Sequence, residues 1–143
     1  MNTSFRPATL SDAHAIAQLA NQLKPLSCTQ QQFNNAFQAR MSNPASCCIA
    51  AVTENNIVGY AAGYLRIVLT QCSNVAYLDE LVVAPSHQKN GVGTELMHRF
   101  EQWAQTQSCT VAGLASGGAR AFYEQLGYES NAGYYKKVLA SQQ

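Results

Sequence analysis

Three groups of residues in this 143-residue chain have types and spacing that could do chemistry. The first is Gln88-Lys89-Asn90-Gly91-Val92-Gly93-Thr94, a polar turn that follows an apolar run ending at Pro85 and opens a helical pattern. At such a junction several N–H groups of the new helix lack partners and the helix dipole adds partial positive charge, so the turn is an anion site. Gly91 and Gly93 remove side chains so that anion oxygens can approach the backbone, and N–H groups from Gln88 to Thr94 can converge on them. The second group is the acidic pair Asp79-Glu80, just upstream on the apolar run. Adjacent residues on a regular strand face opposite sides of the sheet, so alternation predicts that only one carboxylate of the pair serves a site. The third is Tyr123, in a helical stretch whose Phe122 and Leu126 have core character, which leaves the phenol hydroxyl at the edge.

These residues have to be positioned by the elements around them. Ser4 to Ala8 reads as a short first strand with Phe5 inward. Ser11-Asp12 supplies a cap and a first-turn acid for a helix from about Asp12 to Leu23, where Ile16, Leu19, Ala20 and Leu23 repeat on one face. A second helix follows Thr29, because Thr29-x-x-Gln32 resembles a capping box, and Asn43-Pro44 stops it. From Ser46 the period changes, with β-rich runs at Cys48 to Thr53 and Ile57 to Leu69 on either side of the hairpin signal Glu54-Asn55-Asn56. Gly59 and Gly63 within the second run predict a bulge or close packing. Val75 to Ala84 is the next strand. The helix carrying Leu96, Phe100 and Trp103 leads across to a short strand at Cys109 to Ala115, which a helix crossover makes parallel to the strand before it. Ala119 to Leu126 is a brief helix closed by Gly127, Gly133 to Leu139 reads as a last strand, and Ala140 to Gln143 as a frayed tail. The order βααβββαβαβ is mixed α/β.

Composition excludes several classes of partner. Only 12% of residues are charged, against about 25% in an average protein, and 14 Gln and 10 Asn supply much of the polar surface. A formal charge of +1 gives no field for steering onto nucleic acid. No apolar run approaches the ~20 residues that span a bilayer, and no secretory start is present, so no membrane and a cytoplasmic location are expected. The five cysteines Cys28, Cys47, Cys48, Cys72 and Cys109 fall in apolar surroundings without a C-x-x-C pair, which signals reduced, structural thiols and no zinc site. His14, His87 and His98 share no ligand spacing, so no metal is expected. One domain over residues 1–143 is the expectation for this length.

In this order the chain resembles the GNAT family of N-acetyltransferases, over about Tyr77 to Leu139. Gln88-Lys89-Asn90-Gly91-Val92-Gly93 matches the family's Arg/Gln-x-x-Gly-x-Gly/Ala loop, with Pro85 three residues ahead. Asp79-Glu80-Leu81-Val82-Val83 looks like the acidic pair and apolar tripeptide closing the family's fourth strand, and Ala119-x-x-Phe122-Tyr123-Glu124-Gln125-Leu126-Gly127-Tyr128 is close to its A-x-x-F-Y-E-x-L-G-F/Y signature. The resemblance implies a twisted, mostly antiparallel sheet of six to seven strands with a parallel, splayed pair in the middle and about four flanking helices. It also implies acetyl-coenzyme A as cofactor and acetyl transfer to a primary amine, by direct attack in a ternary complex.

By that resemblance the backbone from Gln88 through Lys89, Asn90, Gly91, Val92, Gly93 and Thr94 holds the pyrophosphate. Leu81, Val82 and Val83 pair with the pantetheine arm as though it were an added strand, a form of β-augmentation. Asp79 is the substrate-facing base that deprotonates the acceptor ammonium, with Glu80 as second choice, and Tyr123 is the general acid toward the coenzyme A sulfur. Ser116 stands where relatives contact the cofactor's far end with Asn or Arg. The acceptor is expected to be a small-molecule amine in a pocket built from Phe33, Phe37, the Leu65 to Asn74 region and the last strand, where Tyr134 and Tyr135 fall, and family members often form dimers. Gln88, Asp79 and Ser116 depart from the commoner residues at their positions. That motivates a second reading, a GNAT-fold module that holds coenzyme A or a partner protein without turnover.

Overall fold

Ile16, Leu19 and Ala20 put one apolar stripe on α1 (Ala13–Leu23), and that stripe is buried. In the computed structural model, which describes residues 2–140, this helix and α2 (Gln30–Met41) cover one face of a sheet. The Thr29 capping box forms as its spacing requires: Thr29 Oγ1 accepts from the Gln32 N–H at 3.1 Å and the Gln32 side chain accepts from the Thr29 N–H at 2.8 Å. The start of α1 differs from expectation. A 3-10 turn at Leu10–Asp12 precedes it, and the cap is Thr9 rather than Ser11, in a capping box whose Asp12 carboxylate accepts from the Thr9 N–H at 2.7 Å. Arg6 reaches the same carboxylate with both terminal nitrogens, at 2.7 and 3.0 Å, and these hydrogen bonds hold the Asp12 carboxyl below its ordinary range.

The sheet has the order β1 (Thr3–Pro7), β2 (Ser46–Thr53), β3 (Asn56–Val68), β4 (Ser73–Val83), β5 (Ala112–Leu114). The first four strands pair antiparallel, and β4–β5 is parallel, joined through α3 (Val92–Thr106) as a helix crossover demands. Leu96, Met97 and Phe100 of α3 are fully buried against Ala61, Ala76 and Leu78 on the second face. Both interior glycines of β3 sit at irregularities. Val58 is extra on β3 beside Gly59, and Asp79 is extra on β4 opposite the step from Ala62 to Gly63. Gly63 is where the α3 face comes closest: a Cβ there would overlap the Phe100 ring and lie 2.7 Å from the Tyr77 carbonyl oxygen.

Among the described residues the fold class is the expected mixed α+β sheet with one parallel pair and four α-helices, the last being α4 (Arg120–Gln125), but with five strands in place of six to seven, so that the parallel pair stands at the edge of the sheet and not in its middle. Gly133 to Leu139 forms no strand. Tyr134, Tyr135, Val138 and Leu139 are 67–93% exposed, so neither tyrosine enters the core as alternation on a strand would require. The composition of this stretch is β-rich, yet strand propensity is realised through cross-strand packing, and here no paired neighbour provides it. The frayed tail expected at Ala140 to Gln143 lies, from residue 141 on, outside the described residues. Cysteine surroundings also divide: Cys48 and Cys109 are buried and Cys47 half-buried, but Cys28 and Cys72 are exposed. No helix among the described residues is long and apolar enough to cross a membrane.

Candidate active site

The site is made by the way β4 ends. Its pairing with β5 covers only Ala76 to Leu78 against Ala112 to Leu114. On its other side β4 stays hydrogen-bonded to β3 as far as Val83. From Asp79 onward, therefore, the edge that faced β5 is open, and β4 and β5 splay apart. The gap is a hollow of about 370 Å³ walled by Leu78, Asp79, Glu80 and Leu81 from β4, by Ser116 and its neighbours after β5, and by Tyr123 of α4. Asp79 is exposed as a residue while its side chain is only 27% exposed, so much of what is accessible there is backbone.

The bulge changes the reading of the acidic pair. Strict alternation would send Asp79 and Glu80 to opposite faces, but the extra residue between Leu78 and Glu80 breaks the alternation. Leu78 packs on the α3 face, whereas both acids turn to the α1/α2 face. Asp79 lies 2.7 Å from Nη2 of Arg40 on α2, and Glu80 accepts a hydrogen bond of 2.8 Å from the hydroxyl of Tyr60, a residue only 1% exposed in the α1/α2 core. Leu81 and Val83 then return to the α3 face and Val82 to the other. Asp79 and Glu80 thus share one face of the sheet, contrary to the alternation expected of them, and both residues line the hollow.

Tyr123 faces the same hollow from α4. Its ring packs edge-on to Phe122 and Tyr128, with centroids 5.0 and 6.0 Å away, and burial raises its phenol pKa. Tyr128 donates to Glu101 at 2.7 Å, which ties the end of α4 to α3, and Gly127 at φ 94° supplies the expected left-handed stop. Ser116 has a structural partner: its Oγ accepts from the Ala119 N–H at 3.1 Å and so caps the approach to α4.

The loop from Gln88 to Thr94 runs from β4 into the first turn of α3. Gln88 sends its side-chain amide back to the Val83 carbonyl at 3.0 Å, bracing the loop on the strand. Lys89 and Gly91 both adopt left-handed backbone, at φ 69° and 81°. The Glu95 N–H is the first to close a turn, onto the Gly91 carbonyl at 3.0 Å, which leaves the N–H groups of Val92, Gly93 and Thr94 at the open helix end. The Val92 side chain itself is buried in the core.

Coenzyme A suits these residues by three observations. An added Cβ at Gly91, Gly117 or Gly118 would meet no atom within 4 Å, so both loops offer open space at bare backbone. Among the described residues the β4 edge from Asp79 to Val83 has no strand beyond it. The α3 N-terminus presents N–H groups and positive dipole to an anion. Among the described residues no cluster could hold a metal ion.

The parallel pair splayed around a hollow, with a glycine turn at the next helix and a tyrosine opposite, gathers two acids, a phenol and an anion-binding helix end around a single opening. The sequence model of the Acetyltransferase (GNAT) family matches residues 13–128, and the chain belongs to that family of acetyl-coenzyme A-dependent enzymes. An aminoglycoside N(6')-acetyltransferase type 1 from Klebsiella aerogenes is 29% identical over 110 residues, covering 73% of this chain and 72% of that protein. The aminoalkylphosphonate N-acetyltransferase of Salmonella typhimurium is 23% identical over 139 residues, covering 94% and 90%. In structure the chain is similar to AAC(6')-Iy in complex with the bisubstrate analog CoA-S-monomethyl-acetylneamine, with a TM-score of 0.84 at 18% identity over 96% of this chain and 99% of that one.

Two contacts escaped sequence reasoning. Arg40 and Tyr60 lie 39 and 20 positions from the acids they touch, and no local pattern marks either. The only available signal was Gly63, whose implied bulge or close approach is what shifts the register at Asp79.

Proposed function

We propose that one domain over residues 1–143 transfers the acetyl group of acetyl-coenzyme A to a primary amine of a small molecule, by direct attack with both substrates bound. The observation that carries this reading is the splay after Leu78, which puts an open β4 edge, two carboxylates and a tyrosine around one hollow. Acetyl-coenzyme A supplies a thioester-activated acyl carbon when bound. Everything else falls to the chain.

Along Leu81, Val82 and Val83 the backbone groups of Leu81 and Val83 face the open edge and offer strand-like hydrogen bonds, those of Val82 being turned to β3, and the N–H groups from Gln88 to Thr94, with Lys89 beside them, hold negative charge at the helix end. Asp79 takes the proton from the acceptor ammonium, directly or through water, with Arg40 fixing its orientation and Glu80 in reserve. Tyr123 keeps its proton, since burial raises its pKa, and so offers an O–H to the departing sulfur. Direct attack is favoured over an acyl-cysteine because no cysteine lines the hollow, and burial pushes the thiols of Cys47 and Cys48 up to about 12. The named activities of the two curated relatives support an amine acceptor.

One observation favours a coenzyme A-binding module instead: the guanidinium of Arg40 already occupies one oxygen of Asp79. Thiol release from acetyl-coenzyme A separates the two readings. The transferase reading expects amine-dependent release that falls about 10²-fold or more in Tyr123→Phe. Release that is independent of every amine tried, despite saturable acetyl-coenzyme A binding, would leave the module.

A further inference from the structure

The α2 face of the sheet around Asp79 carries more than the acidic pair. Tyr64 and Tyr77 are partners across β3 and β4, with ring centroids 5.7 Å apart. Arg40 lies 5.7 Å over the Tyr64 ring and pairs with Asp79, and Arg66 lies 4.4 Å over the Tyr77 ring. Two guanidinium groups, two phenols and a carboxylate therefore form one continuous surface leading to Asp79.

The two arginines are not equivalent. Arg40 is committed to Asp79. Arg66 is exposed, and among the described residues it pairs with no carboxylate. A guanidinium seated over a phenol ring still has N–H donors to offer, in a fork that matches the two oxygens of a carboxylate or phosphonate.

Few carboxylates remain to receive a polycation. Of the chain's eight acids, Asp12, Asp79, Glu95 and Glu124 are paired with arginines, and Glu80 and Glu101 accept from tyrosines. Glu54 sits in the β2–β3 turn, and Glu129 is exposed beyond α4. An acceptor with several ammonium groups would meet Arg40 and Arg66 beside the base, and such like-charge contacts select against it.

Resting on the transferase reading above, we propose that the acceptor is a small primary amine carrying its own acid group, with Arg66 binding that carboxylate or phosphonate while the amine reaches Asp79. Tyr77 holds the Arg66 guanidinium in place. Recognition of this kind sets KM and the preference among amines, and the base remains the same.

The full chain with acetyl-coenzyme A tests it, with initial rates of thiol release for aminomethylphosphonate, β-alanine, ethanolamine and neamine. The acid-bearing amines should exceed ethanolamine in kcat/KM by about tenfold to a hundredfold, the scale of one charge-assisted contact. Arg66→Gln should collapse that ratio mainly through KM, and Arg66→Lys should restore part of it for β-alanine. Arg99→Gln, on α3 and paired with Glu95, should leave the ratio unchanged. The proposal is overturned if neamine is the best acceptor, if the acid-bearing amines match ethanolamine, or if a folded Arg66→Gln protein keeps the wild-type ratio. Should no amine release thiol, the transferase reading fails by itself. Calorimetric titration of aminomethylphosphonate into the chain with acetyl-coenzyme A then decides the inference: binding that is lost in Arg66→Gln upholds it, and absence of binding overturns it.

Discussion

The sheet contains two bulges that use the same backbone device to opposite ends. At the β2–β3 irregularity the extra residue is Val58, 6% exposed and packed in the core beside Leu96. At the β3–β4 irregularity the extra residue is Asp79, at the rim of the hollow. Each has a β3 glycine at hand, since side chains at Gly59 and Gly63 would press on the Val82 and Tyr77 carbonyl oxygens at 2.9 and 2.7 Å. What differs is the neighbourhood. Val58 has neighbours on both sides, with β2 pairing on to Thr53 opposite Asn56 and the Ala84 N–H donating to the Val58 carbonyl at 2.8 Å, whereas Asp79 is where β5 leaves. A bulge alone re-aims a side chain; a bulge where a neighbouring strand departs also bares the backbone beside it.

The contrast is broken most sharply by removing each extra side chain. Asp79→Asn should lower kcat/KM with the preferred amine by about 10²- to 10⁴-fold with little change in Tm. Val58→Ala should cost roughly 2 kcal/mol in denaturant unfolding while leaving the kinetic constants of the folded enzyme near wild type. A rate loss in Val58→Ala as large as that in Asp79→Asn would mean that the two bulges are not separable.

Gly63→Ala probes the packing that sets the second bulge. Its methyl group has to displace the Phe100 ring or the Tyr77 carbonyl, at about 1–3 kcal/mol. Because the register at Asp79 moves with it, catalysis should fall in the same variant. Full activity in a destabilised Gly63→Ala protein would separate the bulge from Asp79's function.

Outside both bulges, Asp12 supplies a pH-dependent reference. Its carboxyl is held below the ordinary range by Arg6, so its contribution is present above the unfolded value near 4 and is lost as pH falls through the lower folded value. Asp12→Ala should therefore cost roughly 1–2 kcal/mol at neutral pH, a modest figure because the Arg6 side chain is 41% exposed. The gap from wild type should close on acidification below about pH 4, as read from Tm against pH. The smallest effect is expected at Gly91→Ala, where a left-handed backbone at φ 81° costs about 1 kcal/mol and the new methyl group enters the open space before α3. Its signature is weaker acetyl-coenzyme A binding at an unchanged acceptor KM.

Much of this architecture was readable from local chemistry. The Thr29 capping box, the Glu54-Asn55-Asn56 turn, the glycine stop at Gly127 and the turn into α3 all depend on residues within a few positions of one another, and each stands where its spacing put it. Tyr123 from within α4 and the acidic pair from within β4, just past the last residue that pairs with β5, meet at one hollow. What sequence could not supply came from distance. The facing of Asp79 and Glu80 follows from a register shift set by Phe100 against Gly63, and the partners Arg40 and Tyr60 arrive from other elements. The stretch from Gly133 to Leu139 failed for the complementary reason, because its β-type residues lack a paired edge to realise their preference.

The proposed site joins the open edge of β4 and the first turn of α3 into one receptor for acetyl-coenzyme A. Amide hydrogen exchange of the full chain, with and without saturating acetyl-coenzyme A, tests it directly. New protection should concentrate at residues 79–83 and 91–94, with the β1–β2 ladder unchanged. Saturable binding that leaves both segments exchanging as in the free protein would contradict it.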